Sequence, residues 1–192
     1  MGLTLLTAPV AEPITLTDTK LHLREESAAQ DALITSLIVA VRGDAEGFTR
    51  RAFLTQTWRL SIDGFPCSGI IRLPMPPLVS VTSIKYTDLA GAEQTLAANQ
   101  YVVDVASLPG RIHRAYDITW PSTRPEANCV RVEFVCGFGD AAAVPEGIKA
   151  AMKLFIGHLY ENREAINIGD IVNEIPMGYQ ALLWPHRVLE VV

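Results

Sequence analysis

The chain has 192 residues, a formal net charge of −5, 49% hydrophobic and only 19% charged side chains. That length supports one ordinary domain or two smaller lobes with a core that needs no disulfide. The composition excludes a disordered chain, and the acidic balance with a single basic doublet, Arg50-Arg51, gives no footprint for a duplex-binding domain. Charge below the roughly 25% of average soluble domains leaves apolar surface over for contacts with other chains.

Charge is unevenly distributed. Residues 1–50 carry 4 basic and 7 acidic side chains, residues 51–144 carry 8 of each, and residues 145–192 carry 4 and 6. The ends are acidic and the middle is neutral, as for distinct parts. Cys67, Cys129 and Cys136 form no Cys-x-x-Cys, and the four histidines are scattered, so free thiols and no metal centre are expected. Cys129 and Cys136 stand an odd number of residues apart on one strand-like run, hence on opposite faces. No signal peptide is expected, because the N-terminus lacks a basic start and a long apolar run. The most apolar stretch, Leu33 to Val41, falls far short of the ~18 residues of a membrane span.

In chain order, Met1 to Pro13 reads as an extended arm, with Pro9 and Pro13 barring regular helix. Thr15 or Thr17 can cap a short helix to about Arg24. A long helix follows from Ser27 or Asp31 to about Arg50, with Leu33, Ile34, Leu37, Ile38, Val41, Ala45 and Phe48 as its apolar stripe and Arg42, Asp44 and Glu46 off it. Gly43 and Gly47 sit four apart in it: either a face for close helix approach or glycines simply tolerated.

From Thr55 the period changes to two. Thr55 to Ile62, Ile70 to Leu73, Val79 to Thr87, Glu93 to Leu96, Tyr101 to Val105, Arg111 to His113 and Val130 to Phe134 are the strand candidates, giving five to seven strands in a sandwich or partial barrel. Asp88-Leu89-Ala90-Gly91 marks a hairpin turn, and residues 115–128 a loop. Val144-Pro145 opens a helix to about Arg163, with Ile148, Met152, Phe155, Ile156 and Leu159 on its apolar face. Gly169 to Glu174 reads as a loop. Pro176 opens a short helix with Leu182 and Leu183, stopped by Pro185, and residues 186–192 form an amphiphilic tail. The fold class is α+β: N-terminal and C-terminal helices form a helical part (1–54 and 145–192), with an antiparallel β module (55–144) inserted between them. Trp58 is expected in the core, Trp120 can anchor an interface, and Trp184 either anchors an interface or packs in the core.

Two patterns bear on chemistry. Gly137-Phe138-Gly139-Asp140-Ala141-Ala142 matches G-x-G-x-x-A, a phosphate-cradling turn when a helix starts on it. Here the helix starts only at Pro145, and Asp140 would face the phosphate, so the turn reads as a strand-to-helix joint. Glu161 and Glu164 share a helix face near His158, which suits acid–base work. No nucleophile, oxyanion donor or metal shell accompanies them, so a solvated helix end or a subunit contact is expected.

Several stretches together resemble the head–tail connector (adaptor, or head-completion) family of tailed bacteriophages and gene transfer agents. They are residues 13–24 (PITLTDTKLHLR), 31–38 (DALITSLI), 51–58 (RAFLTQTW), 71–81 (IRLPMPPLVSV), 109–111 (PGR), 134–140 (FVCGFGD), 144–145 (VP) and 159–164 (LYENRE). They span nearly the whole chain, and their order and spacing carry the resemblance. It implies a structural protein without catalytic, cofactor-binding or metal residues. It implies a ring, typically of twelve copies and monomeric when free, joining the portal protein to the next connector or stopper protein while DNA passes through the lumen without sequence-specific binding. It implies no membrane partner, and a location in the bacterial cytoplasm during assembly and then in the particle. The family's C-terminal segment docks on the portal, which here makes Trp184, Arg187, Val188, Leu189, Val191 and Val192 the docking candidates. Tyr160, Glu161, Arg163 and Glu164 are the subunit-contact candidates. The alternative is a small nucleotide-binding or hydrolytic enzyme using the Gly137/Gly139 turn or Glu161/Glu164.

Overall fold

A computed structural model describes residues 1–162 and 177–189. The chain is α+β, with antiparallel sheets between helical ends. It divides into two compact units, residues 1–9 with 55–138 and residues 10–54 with 139–192.

The first unit holds a five-stranded antiparallel sheet and a three-stranded one. In chain order the strands are β1 (Gly2–Thr7), β2 (Gln56–Ile62), β3 (Ile70–Leu73), β4 (Leu78–Thr87), β5 (Glu93–Thr95), β6 (Tyr101–Asp104), β7 (Gly110–Arg114) and β8 (Val130–Cys136). The larger sheet runs β1-β2-β8-β4-β5 and the smaller β3-β7-β6. Strand β8 is central because its alternation is the cleanest: Val130, Val132 and Phe134 are fully buried, while Arg131, Glu133 and Val135 are only half-buried. Leu60 and Ile84 flank Val132 in register from β2 and β4 and complete this core with Ile71, Leu73 and Ile112. On the opposite face Arg59 stands directly across from Glu133, and its Nη2 lies 2.7 Å from the carboxylate.

Eight strands are present among the described residues, one more than the sequence patterning gives, and the extra one is β1. The arm is extended as expected, but residues 2–7 pair with β2, Leu3 opposite Leu60 and Leu5 opposite Trp58. Trp58 is half-buried, its indole N–H donating to Gln56 Oε1 at 3.0 Å. Trp120 stacks on Phe65, ring centroids 4.8 Å apart. All three cysteines are free thiols, Cys67 exposed and the other two buried.

The second unit is built on helices α1 (Leu16–Leu23), α2 (Asp31–Thr49), α3 (Glu146–Glu161) and α4 (Met177–Leu183). Thr15 caps α1, its hydroxyl accepting from the Asp18 N–H at 3.0 Å. Ser27 caps a separate 3-10 turn, Ala28–Gln30, that leads into α2. Along α2, Ile34, Ile38, Val41 and Ala45 are buried as the stripe predicts. Glu46 is not off the stripe: it is only 5% exposed. Its carboxylate accepts the Phe53 N–H at 2.8 Å and pairs with Arg42 at 2.9 Å, so the burial is compensated. Gly43 and Gly47 face open space, with no neighbour within 4 Å of a Cβ placed on either. Helix α3 buries Ile148, Ala151, Met152 and Ile156 and ends at Glu161, two residues before the expected Arg163. Pro176 and the loop read at Gly169 to Glu174 lie outside the described residues.

Candidate functional site

Three side-chain groups are candidates, and the C-terminal one is built most completely. Helix α4 is fixed by Tyr179, which is buried, stacks on Phe155 at 4.5 Å and donates its hydroxyl to Asp44 Oδ2 at 2.6 Å. Burial, reinforced by the Asp44 carboxylate, raises the Tyr179 pKa far above the ordinary phenol, so it stays a donor. Leu183 closes α4 fully buried, and a 3-10 turn, Trp184–His186, carries the chain on to the end of α2.

There the tail is held by backbone. The Val188 N–H donates to Thr49 O at 2.9 Å, one of the carbonyls that a helix end leaves over, and the Val188 side chain is 8% exposed. Arg51 Nε donates to the His186 carbonyl. Arg50 in the left-handed conformation (φ 54°) ends α2 and lets Arg51 turn toward this segment. As far as Val188, the tail is therefore packed onto the end of α2.

What this packing presents is cationic and aromatic. The Arg187 guanidinium carbon lies 5.2 Å from the Phe48 ring centroid and 5.3 Å from that of Trp184. The two rings are 6.4 Å apart, so they hold the guanidinium in a pre-set place, a contact of about 0.5–2 kcal/mol per ring. Trp184 and Leu189 remain 57% and 68% exposed. Among the described residues neither Arg51 nor Arg187 has a carboxylate partner, and Arg187 Nε is buried without a hydrogen bond. Burial pushes the Arg51 guanidinium below its usual value, and burial together with Arg51 pushes His186 down, keeping the imidazole neutral at pH 7. A desolvated arginine beside an exposed tryptophan suits a partner that brings a carboxylate and an apolar side chain.

Of the docking candidates, the structure brings together Trp184, Arg187, Val188 and Leu189, while Val191 and Val192 lie outside the described residues. Phe48, Arg51 and His186 join them without having been singled out as site residues. The basic doublet Arg50-Arg51 was the one sequence signal for them.

The subunit-contact candidates gather less. Tyr160 donates its hydroxyl to Glu25 Oε2 at 2.8 Å within the same unit. This bond, with the Ser27 N–H, lowers the Glu25 pKa. Glu161 is exposed at the end of α3, and Arg163 and Glu164 lie outside the described residues. His158 sits in the last helical turn, where its carbonyl accepts the Asn162 N–H at 3.0 Å. At the glycine turn, Gly137 and Gly139 adopt φ of 120° and 114°. A 3-10 turn, Ala141–Ala143, intervenes before α3, and Asp140 caps it by accepting the Ala143 N–H at 3.1 Å. The glycines therefore do not open onto a long helix, which a pyrophosphate site needs.

No family model matches the sequence, and no curated protein matches it. Solved structures do. A chain in the neck of an empty gene transfer agent particle, computed with C6 symmetry, is 27% identical with a TM-score of 0.79, covering 100% of this chain and 98% of that one. A chain in the virion of a native gene transfer agent particle gives the same identity and coverage with a TM-score of 0.80. A chain in the neck of the native particle, computed with C12 symmetry, gives 27% identity and a TM-score of 0.73. The likeness runs from end to end in both fold and sequence, and the resemblance to the head–tail connector proteins of gene transfer agents holds over the whole chain.

Proposed function

We propose that the chain is a non-enzymatic adaptor at the head–tail junction of a gene transfer agent or phage-like particle. In this reading it forms a ring, of twelve copies by the family pattern, between the portal protein and the next connector or stopper. The observation that carries it is the full-length likeness to chains of gene transfer agent necks computed with C6 and C12 symmetry and of a native virion. The chain is made in the bacterial cytoplasm and ends in the particle, and DNA crosses the lumen of the ring. A net charge of −5 suits a conduit, since a basic wall would hold the phosphate backbone by counterion release.

The C-terminal surface is the portal-facing element of this proposal. Exposed Trp184 and Leu189 supply apolar anchors, and Arg187, held between two rings, supplies a charge that has no carboxylate partner among the described residues. Its test is a paired substitution, Trp184→Ala with Leu189→Asp. Removing residues 184–192 altogether would also strip Val188 from Thr49, so the paired substitution is the cleaner perturbation. Co-sedimentation with purified portal rings is expected to fall to background, with far-UV circular dichroism unchanged. Undiminished co-sedimentation would sink the docking assignment.

A further inference from the structure

Among the described residues the five-stranded sheet ends in two open edges of matching character. At one end all six residues of β1 are exposed, and Leu3, Leu5 and Leu6 are 38–41% exposed. No charged side chain precedes Glu12. The register with β2 is regular from Gly2 to Leu5 and shifts only between Leu5 and Thr7. At the other end β5 covers only Lys85 to Thr87 of β4, and the Leu96 N–H reaches Ile84 O at 2.8 Å. From Val79 to Ser83 the outer side of β4 makes no backbone hydrogen bond among the described residues. Val79 is 51% exposed, Ser80 and Thr82 are exposed, and no charge falls in the stretch. Two register shifts against β8, at Leu78/Ser80 and Val81/Ser83, bend β4 without putting a charge on it.

Soluble monomers blunt such edges with lysine, proline or a covering element, because unpaired N–H and C=O groups with apolar neighbours recruit another strand. Neither edge here has that charge, and each offers four to five residues, about 15 Å of strand. We infer that the two edges are complementary halves of one subunit contact: β1 of one copy adds to the Val79–Ser83 edge of β4 in the next. The inference rests on the ring reading above.

Topology favours this pairing over others. Strands β1, β2, β8 and β4 are each antiparallel to the next, so β1 and β4 run in opposite directions. A cyclic operation about an axis along the strands keeps strand direction from copy to copy. The junction of β4 with the next β1 is then antiparallel, like every other pair in the sheet. Pairing β1 with β1 would instead be two-fold and close a dimer, leaving no route to a ring.

Cysteine pairs test this in the full chain, in a Cys67→Ser background that removes the one exposed thiol. Thr4→Cys is combined in turn with Val79→Cys, Val81→Cys and Thr82→Cys, and assembled particles are oxidised. At least one pair is expected to give a non-reducing ladder running past dimer toward ring size, with each single variant monomeric. Dimers from Thr4→Cys alone, or no ladder from any pair in particles that contain the chain, overturn the inference. As a second arm, Val79→Lys with Thr82→Lys places charge on the edge, and loss of the chain from particles with an unaltered unfolding transition is expected. Normal incorporation of that variant refutes the edge pairing and leaves the ring reading standing. Absence of the wild-type chain from particles refutes the ring reading, and the edge pairing with it.

Discussion

Glu46 offers the most direct test of how the helical unit is held together. It is 5% exposed in the last turns of α2, and its carboxylate holds at least two groups at once. Oε1 accepts the N–H of Phe53, itself fully buried, at 2.8 Å, and Oε2 takes Arg42 Nη1 at 2.9 Å. Arg42 keeps a second carboxylate, Glu12 Oε2, at 2.7 Å. Glu46→Ala therefore leaves one buried N–H without an acceptor, about 1–3 kcal/mol, and loses one of two partners of a half-buried guanidinium. The surviving Glu12 pair keeps that second loss below the ~3–5 kcal/mol of a fully broken buried pair. The sum is about 2–4 kcal/mol, or a fall in melting temperature of roughly 5–15 °C for a chain of this size. Glu46→Gln retains an acceptor for Phe53 and should cost about 1 kcal/mol. Urea unfolding followed by far-UV circular dichroism checks both, with a lowered midpoint at unchanged slope. A Glu46→Ala midpoint within about 0.5 kcal/mol of wild type would refute the assigned role, since ordinary surface substitutions fall in that range. Equal losses for the two variants would trace the effect to charge and away from the Phe53 N–H.

Three further outcomes are expected. Gly110→Ala should destabilise by about 1–3 kcal/mol in the same titration, because the new Cβ would lie 2.5 Å from Leu78 Cβ, an atom that cannot swing aside; wild-type stability would exclude that contact. Gly47→Ala in the free chain should instead stabilise by about 0.5–1 kcal/mol, since the site is an exposed helix interior with open space around it; a loss would mean that the α2 face is occupied. The Asp104 carboxyl, held by the Ser107 hydroxyl, Arg111 and the Ser107 and Ala106 N–H groups, titrates at about 2 in place of 3.8. Its contribution to stability is then complete above pH 3.8 and lost as pH falls through about 2; an NMR midpoint near 4 would remove it.

The sequence disclosed what depends on local periodicity and concealed what depends on distant partners. The stripe of α2 was legible because Ile34, Ile38, Val41 and Ala45 recur at helical spacing. Glu46 was misplaced by the same logic, which sorts polar residues outward unless a partner is known. Its partners include Arg42, one turn back, and a main-chain N–H seven residues on, and a backbone donor leaves no mark in residue identity. β8 was legible because one face of it is continuous core. β1 read only as an extended arm, because with both faces exposed it has no inside–outside alternation, and its register is set by β2 some fifty residues away.

The C-terminal surface shows the same division at the level of function. Trp184 stood out as a large aromatic near the tail, and Arg187 and Leu189 were named only because the family resemblance implies docking by the C-terminal segment. Their arrangement did not stand out, because it is made by the end of α2 and the residues after it: Phe48 supplies the second ring, Thr49 the carbonyl that holds Val188, and Arg51 a donor to the His186 carbonyl. Phe48 had been assigned to the core stripe, and it is half-buried with Arg187 lying over its ring. The low charge of the chain acquires a physical meaning here. Its exposed apolar side chains include runs on the β1 edge, on the β4 edge at Val79, and at Trp184 and Leu189. A solitary monomer would spend lysine and glutamate on such places. In the ring reading proposed above, a subunit with neighbours on two sides and a partner at its C-terminus has no need of them, and charge placed there would cost desolvation at every contact.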